Sequence, residues 1–204
     1  MKPVWIFGAG GHAKVVIDAL RAEGAFRIVG VLDDDPGLLG RDVLGVPVRG
    51  MISIESCERF GIEHAVIAIG ANRARREVAS RFEGRLSWAR VAHPRAYLAT
   101  GVRVGPGTVV FAGAVVQPDA IVGRHAIINT ASSVDHDGTV GDFAHVGPGA
   151  RLGGEVTIGA GALIGIGSCV RPRIKIGEWA TLGAGGVAVN DIPAGRVVKG
   201  VPAR

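Results

Sequence analysis

Apolar positions in this chain follow two different rhythms. From Leu98 onward every sixth residue is aliphatic: Leu98, Val104, Val110, and so on without a slip to Leu182, fifteen positions in all. The residue four places after each of these is small or aliphatic, running from Val102, Thr108 and Ala114 to Ala180 and Gly186. A period of six fits neither an amphipathic helix nor simple strand alternation. It predicts a β-helix solenoid in which each hexad supplies a short strand and a turn, with the aliphatic anchor pointing inward onto its equivalents above and below.

Before residue 90 the rhythm alternates. VWIF (4–7), FRIVGVLDDD (26–35) and HAVIAIG (64–70) read as strands. GAGGHAKVVIDALRAEG (8–24), with helical spacing at Val15, Val16, Ala19 and Leu20, and ANRARREVASRFEG (71–84) read as helices. Strands alternating with helices predict a small parallel α/β domain. The expected division is therefore 1–88 and 89–204, α/β followed by all-β.

Composition narrows the partners. With 33 glycines and 5% aromatic residues the chain suits a tight repeating β architecture, and 48% hydrophobic residues can build a core. The net charge is +5, without a basic stripe or interleaved aromatics, which argues against nucleic acid and suits small anionic ligands. Cys57 and Cys169 have no metal or disulfide spacing and read as inert small residues. MKPVWIFGAGG is neither a signal peptide nor a membrane span, so a cytoplasmic protein without membrane insertion is expected.

Two stretches carry candidate chemistry. In SSVDHDGTVGDFAHVG (132–147), His136 falls two residues after an anchor and His145 directly before one. Both lie outside the inward rows, so both are expected at or near the outer surface, where a second subunit packed alongside would form a cleft. In FGAGGHAKV, Gly8, Gly10 and Ala13 make a partial dinucleotide fingerprint with an acid at Asp33. A strand, a glycine turn and a helix start form a natural phosphate site. The half-domain is short for a full dinucleotide fold, and His12 crowds the helix start.

NTASSVDHDGTVGDFAHVGPGA, GAGGHAKVV and the closing GGVAVNDIPAGRVVKGVPAR resemble the bacterial sugar acyltransferases of the sialic-acid-acetyltransferase-like family, which includes nucleotide-aminosugar N-acetyltransferases. The resemblance implies a Rossmann-like N-terminal domain, a left-handed parallel β-helix of about five coils with three hexads each, a homotrimer, and acetyl coenzyme A as co-substrate without a metal. It implies His136 as general base with Asp137 as its partner, a position where the family often has glutamate; Asp135 is the rival. It places His145, Ile166 and Ala184 along acetyl coenzyme A, with Arg171 and Arg173 either at its phosphates or solvated. Gly10, Gly11 and His12 would sit near the diphosphate or sugar of a nucleotide-linked substrate, Asp33 and Asp34 near its base or ribose, and Gly70 along the same crevice. His64, His93 and His125 are left as structural or solvated residues.

The chemistry needs these groups. An amine attacking a thioester must lose a proton, and neutral imidazole accepts one near pH 7. A carboxylate on the other ring nitrogen fixes the tautomer, and a backbone N–H of the glycine-rich wall would stabilise the oxyanion. The expected function is direct transfer of an acetyl group to a nucleotide-linked 4-amino sugar. O-acetylation of a sialic-acid-like sugar is the near alternative. A metalloenzyme resembling the gamma carbonic anhydrases would need a third histidine beside His136 and His145, and a catalytically silent sugar-nucleotide-binding protein is the remaining reading.

Overall fold

A computed structural model describes residues 1–204. The N-terminal sheet has six strands: β1 (Lys2–Phe7), β2 (Phe26–Leu32), β3 (Asp42–Val43), β4 (Val46–Gly50), β5 (His64–Ile67) and β6 (Ser87–Trp88), in the order β3-β4-β2-β1-β5-β6. β1 is buried on both faces, which is why VWIF reads as an unbroken apolar run. The sheet is mixed rather than parallel throughout. β3 pairs antiparallel with β4 through the two-residue turn Leu44–Gly45, both at positive φ.

Helix α1 (Gly11–Glu23) buries Ala13, Val16, Ile17, Ala19 and Leu20, while Val15, expected inside, is 39% exposed. The buried stripe follows Ala13, Val16, Ile17 and Leu20, the face that packs between the sheet and the first wall, and Val15 falls outside it. Helix α2 (Ile54–Phe60), capped by Ser53 accepting from the Ser56 N–H, lies in a stretch that carried no assignment. Helix α3 (Asn72–Arg81) turns Arg75, Val78 and Ala79 inward.

The repeat builds a left-handed parallel β-helix with three flat walls. On the first wall paired two-residue strands repeat every 18 residues, through Val91–Ala92, Val109–Val110, Ile127–Ile128, His145–Val146, Leu163–Ile164 and Thr181–Leu182, and Val197–Val198 closes the wall after a shorter step. Six strands make the second wall, from Tyr97–Leu98 to Val187–Ala188, and five the third, from Arg103–Val104 to Lys175–Ile176. Anchors from Val110 to Leu182 are all buried in one core cluster. Leu98, in the first coil with no strand stacked beneath it, is 36% exposed.

The two halves share a core. Val4, Ile6, Ala13, Val16, Ile17 and Leu20 join Val91, Val109, Phe111 and Ile127 of the first wall in a single cluster. α1 is thus clamped between its own sheet and the β-helix. Trp5, Phe7, Val78 and Phe82 fill the far side of the sheet and reach Phe143.

Candidate active site

Strand order reverses beside β1: β2 lies on one side of it and β5 on the other. In open α/β sheets the crevice beyond the strand ends at such a switch point is where ligands bind. The turn after β1 ends at Gly10, α1 opens with Gly11 and His12, and the turn after β5 holds Gly70. A Cβ at Gly10, Gly11 or Gly70 would meet nothing within 4 Å, so these residues border open space.

His145 comes to this crevice from the first wall of the β-helix. Its ring centroid is 6.4 Å from that of His12, which also meets Phe111 edge-on at 5.4 Å. Burial, reinforced by the Arg75 charge, lowers the His12 pKa to about 4. The His145 pKa is also lowered to about 4, by burial first, then by the Arg75 and His12 charges, against a hydrogen bond to the Gly70 backbone. Both rings are neutral at physiological pH.

Asp33 spends its carboxylate on the backbone: Oδ2 accepts from the Ala9 N–H (2.6 Å) and Oδ1 from the Asp35 N–H (2.9 Å). It therefore shapes the glycine turn directly. Asp34 accepts from the Ile52 N–H and pairs with Arg81 at 2.8 Å.

His136 lies elsewhere, on the corner that joins the second wall to the third. Its Nδ1 is 2.8 Å from Asp137 Oδ2, while Asp135 Oδ1 accepts from the His136 backbone N–H at 2.8 Å. The neighbour that reaches the imidazole is Asp137, and Asp135 braces the main chain. Asp137 sits in the left-handed region (φ 57°), which swings its short side chain back toward the ring. Its hydrogen bond is the main reason the His136 pKa is raised, against desolvation, with the Asp135, Asp137 and Glu155 charges adding smaller contributions in the same upward sense. One coil further on, Gly154 leaves room for the ring: a Cβ there would stand 2.6 Å from His136 Nε2.

Ile166 and Ala184 are exposed one coil apart on a third location, the corner from the first wall to the second. Arg171 is exposed and Arg173 is paired with Glu155 at 3.0 Å. His125 is buried between Trp88 and Phe143, with ring centroids at 4.8 and 5.2 Å, and belongs to the interdomain core. Within one chain no three His, Cys, Asp or Glu side chains converge in a cluster that could hold a metal ion.

Residues that pattern reading missed connect these parts. Arg75 is 1% exposed at the junction of the halves. Asn129 bonds His145 Nε2 at 2.9 Å. Only the 18-residue coil repeat, which pairs His136 with Gly154, could have flagged the third, Gly154.

Comparison with known proteins places the molecule. Residues 3–82 match the PglD N-terminal domain family. A crystal structure of PerB from Caulobacter crescentus, in complex with CoA and GDP-perosamine, is 39% identical, with a TM-score of 0.93 over 100% of this chain and 97% of that one. The chain belongs to this family of hexapeptide-repeat N-acetyltransferases. Within the family, the acetyltransferase domain of PglB from Neisseria gonorrhoeae, in complex with acetyl coenzyme A, is 35% identical, with a TM-score of 0.90 over 100% of this chain and 98% of that one. UDP-N-acetylbacillosamine N-acetyltransferase of Bacillus subtilis is 35% identical over 115 residues, 55% of this chain and 52% of that protein. The chain thus matches about half the length, or less, of its curated relatives. No helix is long and apolar enough to cross a membrane.

Proposed function

We propose that this protein transfers the acetyl group of acetyl coenzyme A to the amino group of a nucleotide-linked amino sugar, in the cytoplasm, for glycan assembly. The observation that carries this reading is the 2.8 Å contact between His136 Nδ1 and Asp137 Oδ2. With the Nδ1 proton held by Asp137, Nε2 keeps its lone pair for the substrate. The amine nitrogen attacks the thioester carbonyl as His136 Nε2 takes its proton. The C–N bond forms, the C–S bond breaks, and the proton passes on to the coenzyme A thiolate. A backbone N–H of the coil wall steadies the oxyanion.

Residues 1–88 hold the nucleotide sugar: Gly10, Gly11, His12 and Gly70 line the diphosphate and sugar, while Asp33 and Asp34 address the ribose or base with their remaining lone pairs. Residues 89–204 hold acetyl coenzyme A along His145, Ile166 and Ala184. The His136 corner and the His12 crevice lie on different sides of one prism, which favours a homotrimer whose neighbouring copies complete each site.

The test is thiol release from acetyl coenzyme A with UDP-, GDP- and dTDP-linked 4-amino sugars, with free sialic acid alongside. One nucleotide amino sugar should turn over, and His136→Ala should lose about 10²- to 10⁴-fold in kcat, the range for a general base. Full transfer by His136→Ala would overturn the mechanism.

A further inference from the structure

Arg75 is the largest fully buried side chain of the molecule, and it has no carboxylate partner. Its five N–H donors are all used. Nε donates to the His125 carbonyl (2.8 Å), Nη1 to the carbonyls of Ile69 (2.9 Å) and Gly70 (3.0 Å), and Nη2 to Asn72 Oδ1 and the Phe143 carbonyl (both 2.8 Å). His125 and Phe143 are equivalent turn positions in successive coils, both at positive φ. One guanidinium therefore pins the turn after β5 to two coils of the β-helix. Asn72, held by Arg75, donates in turn to the carbonyls of Gly161 and Ala162.

The network continues to His145. The Gly70 carbonyl that Arg75 holds also faces the His145 ring. On the other side of the ring, Asn129 Oδ1 accepts from the Thr130 N–H (2.8 Å) and from its hydroxyl, so the amide must present Nδ2 to His145 Nε2. A donor at Nε2 requires that nitrogen to be bare. The proton is then on Nδ1, the only nitrogen left to donate to Gly70.

We infer that Arg75 and Asn129 are positioning residues: acting from opposite sides, they lock His145 as the neutral Nδ1–H tautomer and fix the Gly70 carbonyl beside it. With every donor engaged, Arg75 acts on the crevice through its field, drawing an anionic group toward Gly10, Gly11 and His12. The same field adds to burial in keeping the two imidazoles uncharged. The groups facing His145 are His12 from α1, Asn129 from the neighbouring coil and Arg75 from α3; none of them is an acid. The role assigned to the crevice rests on the nucleotide-sugar reading above, whereas the tautomer does not.

The experiment is ¹⁵N NMR of histidine-labelled protein, needing no substrate, with kinetics of the same variants. In the wild type, His145 should show Nδ1–H and no titration from pH 8 to 5.5. Asn129→Asp should draw a proton to Nε2 and make His145 titrate in that range. Asn129→Ala and Arg75→Lys should raise KM for both acetyl coenzyme A, which His145 contacts, and the nucleotide sugar about 10-fold, with kcat changed less than about 3-fold, as loss of binding shared by ground and transition states predicts. A purely structural Arg75 would lower the melting temperature of Arg75→Lys and leave these constants alone, which overturns the proposal. A wild-type His145 that carries Nε2–H or titrates near 6.5 overturns it as well. If the wild type acetylates nothing, the nucleotide-sugar reading fails while the tautomer result still stands or falls by itself.

Discussion

At the scale of single residues, the proposed transfer depends on one exposed pair, His136 and Asp137. The Asp137 hydrogen bond raises the His136 pKa above its usual value, so more of the base is protonated at neutral pH and kcat/KM should climb as pH rises through that value. Asp137→Asn removes the ionised acceptor. The rising limb should move to lower pH, and the plateau should fall by about 10²-fold or more because the tautomer is no longer fixed. A pH–rate profile of the two proteins checks both parts; an unchanged limb would show that Asp137 does not act on His136. The identity of the partner acid was open in the sequence, where Asp135 and Asp137 flank the histidine equally. The backbone decides it: only the left-handed residue Asp137 can fold its carboxylate back to the ring.

At the scale of the coil, the third residue after every anchor from Leu98 to Leu182 has positive φ, fifteen in succession, and eight of these are not glycine. An L-residue there costs roughly 1–2 kcal/mol, and several of the eight carry side chains with partners. Asp137 holds His136, His125 and Phe143 build the interdomain stack, and Glu155 pairs with Arg173 across one coil. The anchor row was legible because every anchor is aliphatic. The turn row was not, since aspartate, histidine, phenylalanine and tryptophan share no property but their backbone. The antiparallel β3–β4 hairpin and α2 escaped too, being too short to show a period. The 18-residue coil gives its own prediction at Gly154, whose φ is ordinary and whose only tight neighbour is the free end of the His136 ring. Gly154→Ala should push that ring aside, lowering kcat/KM about 10-fold or more while shifting the melting temperature by less than about 2 °C, as expected where an exposed side chain can move. Kinetics and a melt on the same sample test this; retained activity would mean that the base works from another rotamer.

At the scale of the whole molecule, the junction between the halves is built around groups that resist protonation. His12, His125 and His145 each have a pKa lowered to about 4, chiefly by burial, against about 6.5 when unfolded. Below pH 6.5 the unfolded chain takes up protons that the folded chain refuses. The stability these three contribute is complete above about 6.5 and is lost as pH falls toward 4. Summed over three sites the loss is on the order of several kcal/mol, comparable to the whole stability of many domains. His136, with its pKa raised, works in the opposite sense: its contribution is present below the unfolded value and fades as pH rises through the folded one, and its exposure to solvent keeps it small. The melting temperature should therefore fall steeply between pH 6.5 and 4. Because the three histidines sit on both sides of the shared core, the two halves should unfold together rather than in sequence. His125→Asn, which tolerates the left-handed turn and cannot titrate, should be less stable at pH 7.5 for want of the Trp88 and Phe143 contacts, yet should show a shallower acid slope. A melting temperature flat from pH 7 to 4.5, or a variant with an unchanged slope, would mean that these rings reach protons in the folded state and that the junction opens on its own.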